Sequence, residues 1–408
     1  MVHMKTFLLL PLKPRLLGLS LCLAFLTACS SSPKLKPASL AAIEERIALR
    51  TVWSQPSDPA PSLGSSASGQ GAFRPAISAG MAVVAGRSGE LQAFSLGTGQ
   101  RQWSLSLNEP LAAGVGTGAA SAEGNYAVVT RAGELVLVDV KGQVRWRQPM
   151  GGVSFESPAI SSGVVAVRLA DNRLVGFDQE TGSRRWLLQR TLPSLVLHGE
   201  SGLRVAPSPA AAALNEPLGP TDLLAGLPAG RMLWLNASNG AVRWESQVVV
   251  PRGSNEVERI SDLLGAPVVL SDAVCFGAYQ NAVGCRQSSN GRGLWQKSFA
   301  LALPIAANED WLIAVDASDR VSGFNRLTGE RVWTNDALFL RQLSAPVLFA
   351  GAAWLGDSEG YLHAMDLKTG VLVGRLRLEG GRPSGPMVTT TEGLVVQTQA
   401  GRVSLLRP

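Results

Sequence analysis

The chain has 408 residues, 46% of them hydrophobic and 17% charged. That is ample apolar content for a core, with the low charge expected when the surface is mostly sheet edges and short turns. Of the formal charge of +6, Lys5, Lys13 and Arg15 contribute three within the acid-free residues 1–28, leaving +3 for the rest. With no Lys/Arg run interleaved with aromatics, so weak an excess gives no case for nucleic-acid binding.

Taken in order, the N-terminus carries those three cations, then an apolar run at 16–26, then Leu26-Thr27-Ala28-Cys29. A charged start, a short apolar stretch and small residues before a cut describe a secretory signal, too short to span a bilayer permanently. The tetrad resembles the lipobox of bacterial lipoproteins, which implies cleavage before Cys29 and lipid on that residue. Ser30 follows, where the absence of Asp is expected of sorting to the outer membrane. Residues 1–28 are therefore expected to be a signal peptide and 29–47 a lipidated cysteine and flexible tether, with a helical turn in 40–50 as one possibility for its end.

From residue 48 onward the chain repeats. Gly–x3–Trp recurs at Gly99/Trp103, Gly142/Trp146, Gly182/Trp186, Gly240/Trp244, Gly291/Trp295 and Gly329/Trp333, and a seventh copy at Gly370 has Gly374 in place of tryptophan. The glycines are 43, 40, 58, 51, 38 and 41 residues apart. A period near forty, with two-residue alternation and no helical stripe, is the signature of a β-propeller with one four-stranded blade per repeat. Each blade reads as strand A beginning at a proline (Pro158, Pro267, Pro304, Pro346), apolar strand B, strand C ending in Asp or Asn, and strand D with tryptophan. The tryptophans are expected to pack between neighbouring blades. Residues 386–406 supply A, B and C of a last blade, and residues 48–53 supply the missing D. The expected fold is thus all-β: an eight-bladed propeller over 48–408, its ring closed by the N-terminal strand joining the C-terminal blade.

Two spacings are long, and the extra residues fall in 187–228 and 248–264. Both stretches are read as connections from a D strand to the next A strand, on either side of blade 4, and so as neighbours on one face, with 207–228 as a place for a degenerate A and B strand of blade 4. Insertions on one face of a repeat protein are often its binding surface. Leu195 and Leu197 sit in an alternating apolar stretch, and Arg259 and Asp262 in a charged one. The bland alternative is that the leucines fold under their own loop and the two charges pair with each other. Cys275 and Cys285 fall on strands B and C of blade 5, opposite each other if the turn centres on Gln280. They are compatible with a disulfide in an oxidising compartment, two free thiols being the alternative.

These features together resemble the BamB family, the propeller lipoproteins of the outer-membrane β-barrel assembly machinery (Bam complex). The resemblance covers the whole chain. It rests on the lipobox, the repeat, Pro-Ser-Leu-x-Leu-x-Gly-Glu-Ser at 193–201, Glu-Val-Glu-Arg-Ile-Ser-Asp at 256–262 and Gly-Asp-Ser-Glu-Gly-Tyr-Leu-His at 356–363. It implies a non-enzymatic scaffold at the periplasmic face of the outer membrane that binds periplasmic domains of BamA and assists barrel insertion, with unfolded barrel clients as further partners. Carried over by position, the partner contacts fall on Leu195, Leu197, His198, Arg259 and Asp262. His198 and Leu264 stand where the family commonly has Arg and an acid, which shifts weight from charge pairing to apolar contact.

The rival reading is a quinoprotein dehydrogenase, since those enzymes share an eight-bladed Asp–x–x–Thr–Gly–x3–Trp repeat, seen here at 178–186 and in part at 366–370. The chain has no adjacent cysteines to stack pyrroloquinoline quinone, no Asp-rich calcium loop and no histidines at metal-ligand spacing, and its Gly-x-Ser-x-Gly at 356–360 reads as the B–C hairpin of blade 7 rather than as a nucleophile elbow. No cofactor, metal or catalytic residue is expected.

Overall fold

A computed structural model of the chain describes residues 36–60, 72–118, 124–190, 202–208, 221–251, 254–255 and 260–408. Its compact unit runs from Ala38 to Pro408 and holds eight four-stranded antiparallel sheets. Seven are consecutive meanders: blade 1 spans 76–106, blade 2 116–149, blade 3 159–188, blade 4 203–247, blade 5 268–298, blade 6 306–335 and blade 7 347–377. Blade 8 joins Val388–Thr389, Leu394–Gln397 and Arg402–Arg407 to Arg50–Pro56 from the other end of the chain. The ring therefore closes as expected, with the closing strand two residues later than the pattern suggested.

The hydrophobic core is divided into eight clusters, each built from two adjacent blades. Inner strands are consequently covered on both faces. Strand B of blade 3, Val164–Arg168, is buried at every position, as a strand between two layers must be. Only the outer D strands alternate strongly; Arg101–Ser106 is exposed at every second residue. Strand A begins one or two residues after the proline rather than at it, as at Val268–Val269 after Pro267 and Val347–Phe349 after Pro346. A proline has no N–H for the ladder, so pairing starts once donors are available.

The repeat marker is a docking device. Each tryptophan's Nε1–H donates to a backbone carbonyl of the next blade at 2.6–3.0 Å, from Trp53 to Leu96 round to Trp333 to Leu367. The indole lies flat on the next marker glycine; a Cβ on Gly99 would stand 2.5 Å from Trp53. That glycine also turns the C–D hairpin, with φ of 69° at Gly329, so two demands exclude any other residue.

Blade 7 breaks the rule at Gly374, and the structure supplies the reason. Residues 38–49 carry no helical turn. They run as a strap along blades 6 and 7: Ala38 N–H donates to Phe339 O at 2.9 Å, and the N–H groups of Arg46 and Ile47 both reach Val373 O. A Cβ at position 374 would overlap the Ile47 carbonyl. Residues 38–47, assigned from composition to the tether, thus belong to the compact unit.

Candidate functional site

In an antiparallel meander the chain alternates ends, so D–A connections share a face with B–C turns, and A–B connections share the other with C–D hairpins. Strand A of blade 4 is Leu203–Pro207 and strand B is Thr221–Leu227. The long stretch at 187–228 is therefore two insertions rather than one. Residues 189–202 link strand D of blade 3 to strand A of blade 4, and 208–220 link strands A and B of blade 4; of these, 191–201 and 209–220 lie outside the described residues. Strand B of blade 4 thus falls within 207–228, where a degenerate strand pair was expected, while strand A lies just before it. The spacing between markers counts residues but does not say which connection holds them.

The second long connection, 248–267, leaves blade 4 on the D–A face. Its first residues are clamped to the B–C turn of blade 4: Val248 and Val249 are buried, and Gln247 Nε2 donates to Ala229 O at 2.6 Å and Val249 O at 2.5 Å. Its last residues are clamped to blade 5. Leu263 bridges to Ala278, Leu264 N–H donates to Gly277 O at 2.9 Å, and Tyr279 N–H donates to Asp262 O at 2.9 Å. That hairpin of blade 5 is itself stapled, since Cys275 and Cys285 face each other in register and are joined by a disulfide.

Of the expected partner contacts, Asp262 is described. It is 4% exposed and its Oδ1 accepts the Ala229 N–H at 2.9 Å. A carboxylate so placed ties the connection to the blade 4 turn. Leu195, Leu197, His198, Arg259 and the lipobox residue Cys29 lie outside the described residues.

Two apolar residues at the roots of the connections were not singled out from sequence. Val250 is 62% exposed and Leu187 is 43% exposed. A signal for Leu187 was available. The residue after the docking tryptophan points outward, and in the other blades it is Ser104, Arg147, Glu245, Gln296 and Thr334. Leucine at that place is an apolar residue offered to solvent, adjoining the one D strand that leads into 189–202. Around it stand the partly exposed Arg190 and Glu245, 3.5 Å apart. Apolar anchors rimmed by charge are the composition of a protein interface. Among the described residues, no group of three or more His, Cys, Asp or Glu is placed to hold a metal ion.

A closed ring of tryptophan-docked four-stranded sheets defines the chain as an eight-bladed β-propeller of the kind shared by quinoprotein dehydrogenases and assembly factors. Comparison with known proteins resolves which. A family profile described as outer membrane protein assembly factor BamB matches residues 87–335 and 304–404. The chain is 34% identical to the protein of that name from Bordetella pertussis, over 96% of this chain and 95% of the relative. It is 30% identical to that from Burkholderia pseudomallei, over 93% and 94%. The chain belongs to the BamB family. In fold it is similar to the crystal structure of BamB from Moraxella catarrhalis, with a TM-score of 0.73 at 22% identity over 88% of this chain and 100% of that one. It is also similar to quinohemoprotein alcohol dehydrogenase from Comamonas testosteroni, with a TM-score of 0.60 at 12% identity over 88% and 76%. The dehydrogenase likeness is one of fold alone.

Proposed function

We propose that the chain is a non-enzymatic scaffold of outer membrane protein assembly, held at the periplasmic face of the outer membrane by lipid on Cys29 and docked through its D–A face to the periplasmic domains of BamA. Family membership supports the assembly role, because the relatives carry that name. The observation that carries the docking site is the pair of long connections leaving either side of blade 4 on one face, each with an exposed apolar residue at its root. Leu195, Leu197 and His198 on the first connection and Arg259 on the second are the contacts, joined by Leu187 and Val250. Asp262 acts by holding the second connection in place. Central apolar anchors dominate such interfaces, so replacing two of them weakens binding by about 2 kcal/mol or more.

The test is a photo-crosslinker at position 195 or 259 in whole cells, with the double variant Leu195→Asp/Leu197→Asp and the separate variant Val250→Asp assayed for co-purification with solubilised BamA. Crosslinks to BamA, lost association in the double variant and unchanged circular dichroism are expected. Normal association of both variants would refute the site. Crosslinks only to other proteins would refute the partner.

A further inference from the structure

The start of strand A in every blade faces the axis of the ring, and together they enclose a cavity of about 400 Å³. A second cavity of about 230 Å³ adjoins it on the side of blades 2 and 3, and the two share Arg74, Ser157, Leu203 and Arg204. The size is in the range that takes a small organic molecule. Much of the wall is apolar and poor in hydrogen-bond donors, because Pro267, Pro304, Pro346 and Pro386 line it without N–H groups.

Three charged residues line the cavities: Arg74, Glu156 and Arg204. The Glu156 carboxylate is already held by Arg168, a buried ion pair, and Arg168 is fixed further by donating to Gly226 O at 3.2 Å. Arg204 has no hydrogen-bond or ion-pair partner among the described residues, although it stands on strand A of blade 4 inside the ring. Arg204 is exposed to the channel, and the protein around it pulls the guanidinium below its ordinary range. Without a partner, that guanidinium has five donors to offer.

We propose that the axial channel is a binding site for a small organic anion, a carboxylate or phosphate carried on an apolar body, with Arg204 as its charged contact and the proline-rich wall as its apolar one. Phosphate and carboxylate both match the planar guanidinium fork. The ends of the two connections around blade 4 contribute Gly202, Gly265, Ala266 and Pro267 to the wall, but Arg204 lies outside both connections, so its variants test this site separately from the docking face.

The test uses the full mature chain and two fluorescent probes of similar shape: the anionic 8-anilinonaphthalene-1-sulfonate and the neutral N-phenyl-1-naphthylamine. The anion is expected to bind saturably at one site, more tightly than the neutral probe. Arg204→Gln should weaken the anion about tenfold, equivalent to about 1.4 kcal/mol, and leave the neutral probe unchanged. Arg204→Lys should retain part of the affinity, and both variants should keep the parent's thermal midpoint. Displacement by inorganic phosphate or by butyrate identifies the headgroup. Equal binding of the two probes, undiminished anion binding by Arg204→Gln, or failure of both competitors at millimolar concentration would overturn the proposal.

Discussion

Seven junctions between blades are locked by an indole, and one, between blades 7 and 8, is locked by the chain's own N-terminal backbone. The seven are local and interchangeable: a tryptophan on strand D, a glycine in the next hairpin and one hydrogen bond to a carbonyl. At the eighth, the role of the indole is taken by residues 38–49, which lie more than three hundred positions from the glycine that receives them. A ring needs every junction sealed, but blade 8 takes its C and D strands from opposite ends of the chain and so has no C–D hairpin to receive an indole from blade 7. The strap fills the place with main chain, and Gly374 leaves room for it.

The strap is also tied to a buried charged cluster. Arg341 Nη1 donates to Ala38 O at 2.9 Å and Arg341 Nε donates to Asp357 Oδ2 at 2.8 Å. The same carboxylate oxygen lies 2.9 Å from His363 Nε2, in the turn of blade 7. Arg375 Nε donates to His363 Nδ1 at 3.4 Å, which makes Nε2 the protonated nitrogen facing Asp357, and Arg375 Nη1 donates to Ala41 O at 3.1 Å. The aspartate of this turn and the histidine on the following strand, Tyr361–Asp366, thus serve to hold the strap.

Removing the strap and closing strand altogether, by starting the chain at Ser57, separates the two kinds of junction most sharply. Blade 8 is left with a bare edge on strand Arg402–Arg407 and Trp53 is lost from Gly99. The expected result is an insoluble or aggregating product, read by size-exclusion chromatography; a soluble, cooperatively unfolding ring would show the eighth seal to be dispensable. Breaking one indole junction is a smaller insult. Trp333→Ala leaves a cavity between blades 6 and 7 and should cost about 3–5 kcal/mol by urea unfolding. Gly374→Trp, by contrast, restores the repeat's own residue yet should expel the strap, exposing Arg46 and Arg50 to trypsin that spares them in the parent chain.

The smallest effect concerns Asp357. Burial alone would raise its pKa, but hydrogen bonds from His363, the Tyr361 N–H and Arg341 outweigh this and hold it down at about 2. A carboxyl depressed on folding stabilises above its unfolded pKa near 3.8, and that contribution disappears as the pH falls through 2. Asp357→Asn should therefore cost about 2 kcal/mol at pH 7 and remove the parent's loss of stability between about pH 4 and pH 2. Equal steepness of the two acid-unfolding curves in that window would show that this carboxylate does not carry the linkage.

The indole junctions were legible in sequence because one short pattern repeats seven times and each copy answers the next. The strap was not, because residues 38–49 have no alternation and no tryptophan and compose like a linker. The clue was negative: Gly374 breaks the pattern, and something had to occupy the vacated place. The candidate docking face was half legible. Marker spacing located the extra residues around blade 4 but did not fix how 207–228 divides between strand and connection. It gave no hint that Asp262 is buried, since that burial draws on a backbone donor, Ala229, in a turn 33 residues away.

The path of the strap has a mechanical consequence. Any pull applied upstream of Ala38 meets the bonds to Phe339 and Val373 before it reaches the strand that shuts the circle. Load is thus shared between two neighbouring sheets and enters the circle sideways, so tension at the leash cannot unzip the clasp one rung at a time.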